Sequence, residues 1–258
     1  MNLINVAHAA EESAGLSVHL KPYIVGYIGD IPIASTMITV WVVIVGLILL
    51  AILVHSKISS VPGKLQNFFE MIVDFGYKQV LDVLKNEEYA NKYFPVIFTI
   101  FIFVLSMNWA GLIPGVGSIG YYDEHHHLIP FFYPGATDLN ITIGLAIISF
   151  VTIEVAGVLA IGVWKYAGKF LNFHSVMGFA IGIMELISEL ARLISFSFRL
   201  FGNIFAGKTL LLVAMFFVPY VLPVPIYAYE LFVGIIQALV FSILTLFFIK
   251  MAVEEPSH

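Results

Sequence analysis

The chain has 258 residues, 60% of them hydrophobic and only 11% charged, with a formal net charge of −5. Soluble domains carry about 25% charged residues. A mean hydropathy of +0.97, with several apolar runs of about 18 residues or more, places the chain among polytopic membrane proteins. It contains no cysteine, which excludes a disulfide framework, thiol chemistry and a cysteine-ligated metal.

Residues 1–35 are mixed, with Glu11, Glu12, Lys21 and Asp30, and no apolar core of signal-peptide type stands before a cleavage-like site. An apolar run at 36–54 is the first expected span, closed by His55 and Lys57. In 56–92, Leu65, Phe68, Phe69, Ile72, Phe75 and Val80 recur at helical spacing among lysines, after the start signal Val61-Pro62-Gly63. This predicts an amphipathic helix on the membrane surface. The second span is expected at 94–114, broken near Pro114-Gly115. Residues 116–138 lack Lys and Arg and contain Asp123, Glu124, His125, His126 and His127. Adjacent loop residues are poorly arranged around one ion, so no metal site is expected there. The third span is 139–163, followed by Lys165 and Lys169. The fourth hydrophobic segment is 176–217. After Pro219, Pro223 and Pro225 comes the fifth, 226–249, then Lys250 and the acidic Glu254-Glu255. The fold class is therefore all-α membrane protein: five hydrophobic helical segments plus one amphipathic surface helix, in a single membrane domain.

Lysine placement orients the chain. Residues 56–92 and 165–169 are basic and are expected in the cytoplasm, while 116–138 and 218–229 carry no Lys or Arg and are expected outside. The N-terminus is then external and the C-terminus cytoplasmic. Segment 176–217 is too long for an upright span: as one helix it measures about 60 Å, twice the ~30 Å hydrocarbon layer. It must break or tilt strongly; Gly202 and Gly207 permit a bend. The last two long helices are expected to tilt strongly.

This fourth segment holds both arginines of the chain, Arg192 and Arg199. With Arg199 at zero and about 100° per residue, Arg192 falls near +20°, Ser188 near −20°, Ser195 near −40°, and Glu185 and Asn203 near +40°. The six polar residues share one stripe, about 27 Å long. A charge in a membrane costs at least ~2.5 kcal/mol. Such a row implies an ion or proton path, a docking face for a buried partner, or a helix contact held by polar groups. On the last helix, Glu230, Gly234, Gln237 and Phe241 also share one face.

The run SFRLFGNIFAG, with Arg199 and Asn203 inside it, resembles the RLFGN–AG signature of subunit a of the F-type ATP synthase. Val61-Pro62-Gly63-Lys64-Leu65-Gln66, the Asn108-to-Gly115 run NWAGLIPG and the Ala136-to-Thr142 run ATDLNIT are similar to that family. So are Glu185 and Ser188 before the arginine, Gln237, and the Glu254-Glu255 tail. The resemblance covers nearly the whole chain. It implies a non-catalytic channel subunit that serves a rotating ring of c subunits, works without a cofactor, and sits beside subunit b and the other F1Fo subunits. No nucleic acid is implied. The location implied is the cell inner membrane, multi-pass in the bilayer, bacterial rather than organellar.

The resemblance makes Arg199 the family's essential arginine, separating two proton half-channels. Glu185, Ser188 and Ser195 resemble the inner one; Asn203, Glu230, Gln237, Asp138 and Asn140 would line the outer one. Lys208 is a departure, standing where the family often has a titratable Glu or His paired with the Glu230 position. A Lys208–Glu230 ion pair and a lysine snorkelling to the interface are the two alternatives. Glu189 and Arg192 are spaced for an i,i+3 pair. The competing class is a secondary ion-coupled transporter, but no half-to-half repeat is visible. An intramembrane metalloprotease is disfavoured by the absence of an H-E-x-x-H motif.

Overall fold

The computed structural model describes residues 22–59, 63–122, 128–170 and 176–253. The histidine loop with Asp123 and Glu124, the Val61-Pro62 start signal, Glu11, Glu12, Lys21 and the Glu254-Glu255 tail lie outside the described residues.

The helices are α1 (Ser35–Ser56), α2 (Lys64–Leu84), α3 (Glu87–Ala110), α4 (Leu139–Ile161), α5 (Val163–Phe170), α6 (Val176–Phe217) and α7 (Pro223–Val253). Five of them, α1, α3, α4, α6 and α7, are long and apolar enough to cross a membrane. α3 starts earlier than the apolar run, because Asn86 caps it: its side chain accepts from the backbone N–H groups of Glu88 and Tyr89. Pro95 lies inside the helix. α4 is capped in the same way by Asp138, which accepts from the Asn140 N–H. It ends at Gly162, whose φ of 91° redirects the chain into α5.

Two small antiparallel hairpins accompany the helices: β1 (Ile24–Ile28) with β2 (Ile31–Ala34), and β3 (Gly120–Tyr122) with β4 (Leu128–Pro130). The two-residue turn Gly29-Asp30, with Gly29 at φ 62°, is a hairpin signal between Ile28 and Ile31. Tyr121 OH donates to Val25 O at 3.2 Å and joins the two hairpins.

The packed helices build two apolar clusters, and α3, α4 and α7 contribute to both. One gathers Val80 and Leu84 of α2 with Ile97, Ile153, Tyr166 and Ile249. The other gathers Val104, Met107, Ala146, Phe196, Leu200 and Phe241. α2 is thus amphipathic, as the spacing predicts, and its C-terminal half packs on α3 and α7. Membrane helices have no water-driven attraction between them, so small and hydroxylated residues do much of the joining. Thr142 Oγ1 and Ser197 Oγ lie 3.1 Å apart across α4 and α6. Ser149 Oγ and Thr245 Oγ1 lie 2.8 Å apart across α4 and α7. By contrast α1 buries only Ser35, Thr36 and Thr39, all near its start.

α6 runs unbroken through Gly202 and Gly207 for 42 residues, about 63 Å at 1.5 Å per residue. The bend that glycine permits does not interrupt the helix.

Candidate functional site: a polar stripe on α6 and its neighbours

On α6 the buried residues Leu200, Leu211 and Ile204 fall near +100°, +120° and +140° from Arg199 on the ideal helix. The packed face is therefore centred near +120°, and the polar stripe lies along its edge. Ser188, Ser195 and Arg199 are exposed, whereas Glu185, Arg192 and Asn203 are half-buried. Arg199 Nη2 donates to Ser195 Oγ at 3.2 Å, one turn away. Among the described residues Arg199 makes no ion pair.

Arg192 is surrounded differently. Its Nη1 lies 3.0 Å from Glu189 Oε1, the i,i+3 pair expected from the spacing, and its Nη2 lies 3.4 Å from Glu185 Oε1. Its guanidinium carbon sits 4.6 Å from the centre of the Phe248 ring of α7, a cation–π contact. Glu189 is buried, which its angle near +80° explains. Tyr166 of α5 packs closely over Gly157 of α4 and faces the Glu154 carboxylate. Burial first, then the Glu154 charge, pushes the Tyr166 phenol above its ordinary pKa.

At the other end, Glu230 of α7 is buried. Its carboxyl group fills the space that a Cβ at Gly207 would occupy. Gly207 is thus a notch in α6 that receives the acid, a role its place in the signature did not reveal. Asn203, Gly207, Tyr229 and Glu230 line a cavity of about 140 Å³. Lys208 Nζ donates to Gly111 O at 2.8 Å, at the C-cap of α3, where a cation complements the negative end of the helix dipole. It makes this bond rather than an ion pair with Glu230. α3 also fixes α7: Asn108 Nδ2 donates to Gly234 O at 3.1 Å and Trp109 Nε1 to Leu231 O at 3.2 Å. Gln237 is buried on the same face as Glu230 and Gly234, as the periodicity predicts. Its Nε2 is buried without a hydrogen bond.

Asp138 and Asn140 stand apart from this group. Asp138 is buried and accepts from Thr36 Oγ1 at 2.9 Å and from the Asn140 backbone at 2.9 Å. It staples the start of α1 to the start of α4. With Asn140, Pro22, Pro32 and Met37 it lines a separate cavity of about 460 Å³ beneath the first hairpin. Among the described residues no three His, Asp or Glu side chains gather for a metal ion.

Among the described residues the geometry thus divides the group into a neutralised arginine, Arg192, a second arginine without an ion pair, Arg199, and a buried acid beside a small cavity. Comparison with known proteins agrees with the sequence signature. Residues 36–250 match the family model described as ATP synthase A chain. The chain is 36% identical over 215 residues to the ATP synthase subunit a of Mycobacterium ulcerans, covering 81% of this chain and 83% of that one. It is 32% identical over 222 residues to the ATP synthase subunit a of Geotalea daltonii, covering 86% and 89%. With the corresponding protein of Moorella thermoacetica it shares 29% identity over 231 residues, covering 90% and 96%. With its five apolar helices and a match spanning nearly all of them, the chain belongs to the ATP synthase A chain family.

Proposed function

We propose that the chain is the stator channel subunit of an F-type ATP synthase and presents two proton half-channels to a rotating c-ring. The observation that carries this reading is Arg199: an exposed cation without a counter-charge on an apolar, membrane-length helix. Lipid cannot face such a group cheaply, so the stripe needs a partner with a carboxylate in the membrane plane. The guanidinium stays charged and does not relay protons. It stabilises a rotor carboxylate in its ionised form, while a carboxylate that moves on into lipid must be neutral. A fixed positive charge therefore separates the two paths. Each charge crossing supplies about 2.3 kcal/mol per 100 mV.

Glu185, Ser188 and Ser195 form the inner path; Asn203, Glu230 and Gln237 form the outer one. The buried, unsatisfied Gln237 Nε2 is suited to a water in that path. Asp138 and Asn140 belong to the outer side at a separate cavity. The 63 Å length of α6, about twice the layer thickness, supports a strong tilt. The subunit is non-catalytic, takes no cofactor, and works beside subunit b and the other F1Fo subunits in a bacterial inner membrane. Co-purification of the tagged chain with a ring of small two-helix proteolipids tests the assignment; a chain isolated without them under gentle extraction would contradict it.

Topology is tested separately. The sequence has no native cysteine, so Ser118→Cys and Ser59→Cys can be labelled on a clean background. An impermeant thiol reagent is expected to modify the first from outside and the second only after permeabilisation. Labelling of both from one side would overturn the orientation.

For the outer path, Glu230→Gln is expected to lower proton-driven ATP synthesis by about tenfold or more. Adding Lys208→Gln should restore part of the loss, because it removes a half-buried cation left without its nearby acid. Strictly additive effects would show that the two residues act independently.

A further inference from the structure

Two arginines lie within about 20° of each other on one face of α6, about 10 Å apart along the axis. A carboxylate passing along that face meets both. Only one of them is electrostatically open: Arg199 is exposed and bonded to a neutral hydroxyl. Arg192 has 17% of its side chain exposed and is held by Glu189 at 3.0 Å and Glu185 at 3.4 Å, with its guanidinium carbon 4.6 Å from the centre of the Phe248 ring. The two partners are not equivalent. Glu185 is half-buried on the stripe itself, where the inner path would load and unload protons. Glu189 has only 4% of its side chain exposed and lies on the packed side of α6, near +80°.

We propose that Glu189 is a specificity-determining residue that cancels the charge of Arg192, so that a rotor carboxylate finds its single cationic partner in Arg199. The inference rests on the channel reading above. Glu185 is the longer and more exposed of the two contacts, at 3.4 Å with 29% of its side chain exposed. Glu189, buried and closer, is the contact that keeps the charge cancelled. Phe248 of α7 holds the guanidinium by a cation–π contact. Without Glu189 the stripe would carry two traps for the same carboxylate about two turns of helix apart, and the ring would pause at the wrong one.

The test is a rescue experiment in membrane vesicles containing the whole complex. Rates are divided by the amount of assembled complex, measured by immunoblot. Glu189→Gln is expected to lower ATP synthesis by about tenfold, and Glu189→Gln with Arg192→Gln to recover to at least about half the rate of Arg192→Gln alone. A purely structural role for Glu189 predicts instead that the loss and its rescue appear in the amount of assembled complex, because a buried Arg192 without its partner destabilises the fold and removing both relieves it, while the rate per assembled complex stays unchanged. Glu189→Gln at the wild-type rate, or a double variant no better than Glu189→Gln, overturns the proposal. If Glu189→Gln prevents assembly, Glu189→Asp replaces it, with a smaller loss and the same rescue expected. Arg199→Ala is run alongside: should it leave synthesis intact, the channel reading fails, whereas its loss of synthesis with no Glu189 effect removes this inference alone.

Discussion

Arg199→Ala is expected to abolish proton-driven ATP synthesis while the complex still assembles. Arg199 is exposed and, among the described residues, bonds only to Ser195, so truncating it removes little packing. What is lost is the fixed positive charge between the two paths. Protons then cross from the outer to the inner side without turning the ring, and passive proton conduction through the membrane sector persists or rises. Lysine at this position is not expected to rescue, because an ammonium lacks the planar fork of donors and gives up its proton when desolvated. Arg192→Ala is expected to be much milder. ATP synthesis and proton uptake in inverted vesicles, with assembly followed by immunoblot, provide the measurement. Near wild-type synthesis by Arg199→Ala, or a more damaging Arg192→Ala, would contradict the mechanism.

The second large effect is expected at a residue with no ionisable group. In Gly207→Ala the new methyl would occupy the place of the Glu230 carboxyl. The acid cannot stay, and moving it costs either its burial or the contact between α6 and α7. Overpacking of this kind typically costs about 1–3 kcal/mol. The functional loss should be larger than the stability loss, because the displaced group lies in the proposed outer path. Synthesis is expected to fall about tenfold or more, with assembled complex reduced by a smaller factor. Gly202→Ala is the control: a Cβ there meets nothing within 4 Å, and near wild-type synthesis is expected. Equal behaviour of the two variants would show that the notch has no special role.

The long elements and the stripe were legible because they rest on local arithmetic. Hydropathy located five spans, and 100° steps placed Arg199, Arg192, Glu185 and Ser188 on one face. The i,i+3 pairing of Glu189 and Arg192 followed from the same steps. Helix starts were less legible, since hydropathy reports where the chain is apolar while the Asn86 cap determines where α3 begins. The first hairpin was missed although Gly29-Asp30 between isoleucines is a turn signal; short strands beside long apolar runs are easily overlooked. The Gly207–Glu230 fit and the Lys208–Gly111 bond join residues far apart in sequence. Periodicity within one helix contains no information about which face a neighbour will meet. For the same reason Asp138 could be grouped with the outer residues from its signature, while its cap and its bond to Thr36 became visible only in the fold.

The unbroken length of α6 has a mechanical meaning. A stator element must resist a sideways pull each time the rotor advances, and a helix resists bending far better than a hinged pair of segments. In the proposed role the load would enter near mid-span, at Arg199. It is carried along one continuous ladder of backbone hydrogen bonds to two supports on the same neighbour: the Arg192 guanidinium braced on Phe248 towards one end, and the Glu230 carboxyl seated in Gly207 towards the other. α7 therefore takes up the reaction force on both sides of the loaded point, and α6 works as a beam rather than a lever. A glycine pair or a proline between the two supports would leave the charge in place and still let it yield with the rotor, so that ions would pass with little torque delivered.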